Sequence, residues 1–144
     1  MKIGKLAVAA LVVAVFMFLT DWLWFGMIMK DKMPPLPNAR PEMDYVHLSV
    51  GILIFAVAFV YIFSQGRGSG SPLGEGSRFG IWATFLVFVP MGFIMYSLTT
   101  TMSISDYLTN DVFRLVQLMI MGVIAAYMTG MGGARGKGAT GGDD

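Results

Sequence analysis

The sequence predicts an all-α fold, an integral membrane four-helix bundle with both termini on the cytoplasmic side (N-in/C-in). Three observations carry that reading. Four apolar stretches, about 6–29, 46–64, 79–98 and 112–131, each approach the ~20 residues a helix needs to cross a ~30 Å hydrocarbon core. Hydrophobic residues fill 56% of the 144 positions and charged residues 13%, far to the apolar side of a soluble domain. With the N-terminus inside, Lys2, Lys5, Arg67, Arg78, Arg135 and Lys137 fall on the cytoplasmic side, against Lys30, Lys32 and Arg40 outside. That excess follows the positive-inside rule, and an even helix count returns the C-terminus to the same side. Residues 1–131 thus read as one transmembrane domain.

The first stretch follows the basic start Met1 to Lys5 and resembles the opening of a signal peptide. Past Phe18, however, stand Leu19, Thr20, Asp21, Trp22 and Leu23 rather than a small-x-small cleavage site, so it is expected to stay as helix one. Pro34, Pro35, Pro37 and Pro41 exclude helix from the outer loop between Lys30 and Asp44, which should be extended and partly stiff. Helix two ends at a Gly/Ser segment, GRGSGSPLGEGSR from Gly66 to Arg78, which reads as a flexible linker. Helix three contains Pro90, whose missing N–H and bulky ring predict a kink eased by Gly92. The polar run TTTMSISDYLTND, Thr99 to Asp111, reads as the second outer connection, with Asn110 or Asp111 capping helix four. The tail over 132–144 is Gly-rich, has no apolar area to bury and is expected to be disordered.

Aromatic residues fit these limits, with Trp22, Trp24, Tyr45 and Tyr107 near the outer interface and Tyr61, Trp82 and Tyr127 near the inner one. Small residues four apart mark helix-packing faces: Ala10 and Ala14, Gly76 and Gly80 ahead of Thr84, and Gly122 and Ala126.

Asp21 is the most informative position, because a carboxylate at the centre of a transmembrane helix costs about 2.5–3.5 kcal/mol and demands a partner or neutralisation. Arg114, expected one turn into helix four, is the natural partner, and Gln117 follows at i+3 on the same face. With His47 of helix two and Tyr96 of helix three, all four helices would bring polar groups to one level, an outward-facing cup. Two readings stay open. The cup either holds a small polar or anionic solute on Arg114 with Asp21 as proton-linked counter-charge, or Asp21 and Arg114 form an ion pair that pins helix one to helix four.

Other chemistry lacks residues. The net charge of +1 gives no basic face for nucleic acid, and without Cys there is no disulfide, thiolate metal site or thiol nucleophile. A lone His47 makes a poor metal site and cannot supply both axial ligands of a haem, so no metal and no cofactor is expected. Gly136-Lys137 is followed by Gly138 rather than Ser or Thr, and the 66–76 run follows no strand, so neither is a phosphate loop. No catalytic motif appears, and a non-enzyme is expected.

DWLWFG (Asp21 to Gly26), GSRFGIW (Gly76 to Trp82), Pro90-Met91-Gly92 ahead of Tyr96, and QLMIMGVIAAYM (Gln117 to Met128) together give a chain that resembles small uncharacterised four-helix membrane proteins of bacteria, a family of unknown function. The resemblance implies a bacterial inner-membrane location and carries no catalytic residues. The function expected is that of a multi-pass membrane protein acting through helix packing, as a homo-oligomer or as an accessory subunit of a membrane complex. The alternative is a transporter of small polar solutes, proton-linked, working through the cup.

Overall fold

α1 (Ile3–Leu23) forms because no polar residue interrupts the chain between Lys5 and Thr20. The structure, a computed structural model, describes residues 3–66 and 68–130; the Gly-rich tail lies outside them. α1 continues into a π-helical turn over Trp24–Ile28, closed by the Met29 N–H donating to the Trp24 carbonyl at 2.8 Å. The following loop carries no helix, consistent with its four prolines, and turns at Asn38, whose φ of 60° suits an asparagine.

α2 (Tyr45–Gly66) starts at Asp44, whose carboxylate accepts the His47 N–H at 3.1 Å and contacts the His47 ring Nδ1 at 2.7 Å. These contacts, the backbone one first, hold the Asp44 carboxyl below its ordinary value. α3 (Pro72–Leu98) and α4 (Ile104–Met128) are the remaining helices among the described residues. All four helices are long and apolar enough to cross a membrane.

Two boundaries differ from the sequence expectation. α3 begins at Pro72 rather than near 79, so half of the expected Gly/Ser linker is helix. Ser71 is its N-cap and accepts the Gly74 N–H at 3.1 Å, with Pro72 in the first turn where a missing N–H costs nothing. α4 begins at Ile104 rather than 112, so the connection is short. Its cap is Ser103 and not Asn110 or Asp111: the Ser103 hydroxyl accepts the Asp106 N–H while the Asp106 carboxylate accepts the Ser103 N–H at 3.0 Å, a capping box. In both cases a polar turn extends the helix past its apolar run, which hydropathy cannot detect.

Packing runs from α2 to α1, from α1 to α4, and from α4 to α3, with α2 also touching α4. The core is Ala9, Ala10, Val13, Ala14 and Met17 of α1, Ile52, Ala56, Phe59, Val60 and Phe63 of α2, and Leu118, Met121, Ala125 and Ala126 of α4. The fully buried residues of α3 are Gly76, Gly80, Thr84 and Gly92, while its Phe79, Ala83 and Phe88 pack partly buried against the core. Gly76 lies against the backbone of Gly122, and Gly80 against the backbone of Leu118 and Met119, so a Cβ at either position would collide with main chain. This approach trades side-chain volume for dispersion between backbones. α2 and α3 meet through rings: Phe55 with Phe88, and both Phe59 and Phe63 with Phe79. α3 continues through Pro90, and Gly92 beyond it is seated on the side chains of Tyr107 and Asp111.

Candidate functional site

Helical spacing places Asp21, Trp24 and Phe25 on one side of the α1 segment, and this side faces α4. Trp24 stacks on Phe113 with ring centroids 4.6 Å apart and planes within 3°, and its indole N–H donates to Asn110 Oδ1 at 3.0 Å. Phe25 meets the same Phe113 ring edge-on. Trp24 is therefore a bridge to α4, and Asn110 serves this bridge.

Below that contact, Arg114 Nη1 donates to Asp21 Oδ1 at 2.5 Å and to Gln117 Oε1 at 2.6 Å. Gln117 Nε2 donates to Asp21 Oδ1 at 2.8 Å and to Thr20 Oγ1 at 2.6 Å. Thr20 passes its own hydroxyl hydrogen back to the Phe16 carbonyl at 2.8 Å. Both hydrogens of Arg114 Nη1 and both hydrogens of Gln117 Nε2 meet acceptors, so the Gln117 amide fits in one orientation only. Gln117 is 2% exposed, and the Asp21 and Arg114 side chains are 16% and 14% exposed. The Arg114 guanidinium carbon lies 4.9 Å from the Phe88 ring centre, 5.3 Å from Phe25 and 5.5 Å from Phe113, a three-sided cation–π enclosure. It is the only ion pair between different helices among the described residues.

Of the expected cup, Asp21, Arg114 and Gln117 converge. His47 and Tyr96 do not. The His47 side chain is 86% exposed and bound to Asp44 in its own first turn, and Tyr96 is half exposed on α3 away from the network. The polar groups come from α1 and α4 alone, while α2 and α3 close the level with apolar and aromatic side chains. Arg114 also lies deeper than expected, ten residues and about 15 Å along α4 from Ile104, because the helix starts earlier. Thr20 and the phenyl enclosure were not anticipated. The i+4 spacing of Asp21 and Phe25 and the adjacency of Phe113 to Arg114 were the signals available, but Phe88 comes from another helix and leaves none.

Two cavities flank the pair. One of about 290 Å³ lies between α1 and α2 and is bordered by Asp21 and Arg114; the other, about 190 Å³, lies between α3 and α4 and is bordered by Arg114, Asn110 and Asp111. Phe25 and Arg114 line both. No three His, Asp or Glu side chains among the described residues converge as a metal-binding group. No family model, no curated protein and no solved structure matches this chain.

Proposed function

We propose that this is a non-enzymatic, multi-pass protein of the bacterial inner membrane, N-in and C-in, that works through helix packing as a homo-oligomer or as an accessory subunit of a membrane complex. One observation carries the reading: the embedded charges of α1 and α4 are spent on each other, with Gln117 and Thr20 completing the hydrogen bonds and three phenyl rings enclosing the cation. Charges so consumed hold two helices in register. α3 supports association, since only 11% of its apolar window is buried against 28–33% in the other three, leaving one helix face free for a neighbour. The test is the mass of the protein purified in mild detergent. A homo-oligomer or a stoichiometric partner is expected, and a lone monomer with nothing co-purifying defeats the proposal.

A second reading, a proton-linked transporter of small polar solutes, draws on the cavity that borders Asp21 and Arg114. Proteoliposome uptake compared between the wild type and Asp21→Asn decides it; flux independent of Asp21 removes it.

A further inference from the structure

We propose that the cavity between α1 and α2 binds the neutral, hydroxyl-bearing head group of an amphiphile, monoacylglycerol being the simplest member of that class. Phe18, Trp22 and Phe25 form one wall and Leu48 and Ile52 the other, and Asp21 and Arg114 are the only charged residues bordering it. At about 290 Å³ it is at the low end of ligand pockets, with room for a head group and the first methylenes of a chain.

Charge selects the head group. The network between α1 and α4 uses only Oδ1 of Asp21 and Nη1 of Arg114. Oδ2 of Asp21, and Nε and Nη2 of Arg114, have no partner among the described residues, yet no sealed, unsatisfied side-chain atom occurs there, so these atoms keep some accessible surface, and both residues border this cavity. The cavity is thus bordered by one carboxylate and one guanidinium whose formal charges cancel. An anionic head would press against Asp21 and a cationic head against Arg114, and both repulsions are amplified away from water. A hydroxyl satisfies both sides, donating to Asp21 Oδ2 and accepting from the guanidinium. The apolar walls then take the chain. This proposal rests on the spans lying in lipid and is independent of self-association.

The test is tryptophan quenching in phosphatidylcholine vesicles, whose head groups carry no hydroxyl, by a monoacylglycerol with a brominated chain, beside a brominated alkyl sulfate and a brominated alkyl ammonium. Trp22 lies in the wall and is one of three tryptophans, so saturable quenching approaching about one third of the signal is expected. Unbrominated monoacylglycerol should compete it away, and both charged amphiphiles should bind at least ~10-fold more weakly. Gly26→Leu should abolish the effect by filling the cavity; the three atoms nearest to a Cβ there all belong to the Trp22 side chain, none closer than 3.6 Å, an ordinary contact. Leu48→Phe fills the same space from α2 and serves as the second variant. Equal quenching by all three head groups, absence of saturation, or full quenching in both filled variants overturns the assignment. Because Gly26 belongs to the α1 segment, which packs on α2 and α4 rather than on α3, the oligomer measurement stays valid in that variant, and the two proposals fail separately.

Discussion

Replacing Asp21 and Arg114 by leucine, singly and together, tests whether the pair is a lock between α1 and α4. Removing one member of a buried pair costs about 3–5 kcal/mol because the other charge is left behind. The side chains are 16% and 14% exposed, which places each single variant near 3 kcal/mol. The two singles should not be equal. Without Asp21, Arg114 keeps Gln117 and the Phe25, Phe88 and Phe113 rings and has a long stem to reach outward, whereas without Arg114 the Asp21 carboxylate keeps only the Gln117 amide. Arg114→Leu should therefore be the worse. The double variant leaves no orphaned charge; its residual cost is the Gln117 Oε1 that loses its donor, about 1–3 kcal/mol, while Gln117 Nε2 loses Asp21 but keeps Thr20 Oγ1 and has the Met17 carbonyl at 3.5 Å. The cycle should thus show a coupling of about 3 kcal/mol or more, over a hundredfold in the unfolding equilibrium. Loss of helicity in mixed micelles titrated with a denaturing detergent reads all four proteins. Strict additivity, with the double variant as damaged as both singles combined, refutes the lock.

Three further outcomes follow from the geometry. Gly80→Leu drives a side chain into the Leu118 backbone and should cost about 1–3 kcal/mol or more by parting α3 from α4, whereas Gly51→Leu, with nothing near its Cβ, should be silent in the same titration. Asp44 is held below its ordinary value, so its contribution to the start of α2 is complete above pH 3.8 and lost as pH falls below it; amide exchange at His47 should accelerate only in that acid range, and Asp44→Asn should remove the dependence. A reporter that is active only outside the cytoplasm should work when inserted after Asn38 and fail after Gly70; the reverse pattern overturns the N-in topology.

The embedded pair also explains why a packed reading is preferred to an open cup. A solute site built on Arg114 needs donors aimed at the solute, but Nη1 is committed twice over and the guanidinium face is covered by rings. What stays open is the edge of the pair, which favours a neutral group over an ion.

Length and composition alone determined that the chain has four helices long and apolar enough to cross a membrane, because apolar runs near 20 residues favour helix and hydropathy reads them directly. The choice of Asp21, Arg114 and Gln117 was legible for the same reason: an ionic group inside such a run is costly enough to stand out. The small residues Gly76, Gly80 and Gly122 were legible as a pattern, but only the tertiary structure decided that they face one another, as four-residue spacing names a face and not its partner. Helix ends at Ser71 and Ser103 escaped because caps lie in polar sequence beyond the apolar signal. The exclusion of His47 and Tyr96, the phenyl enclosure of Arg114 and the two flanking cavities were decided by rotation of each helix about its own axis. That rotation is set by the sum of contacts with neighbouring helices, a quantity no single span encodes.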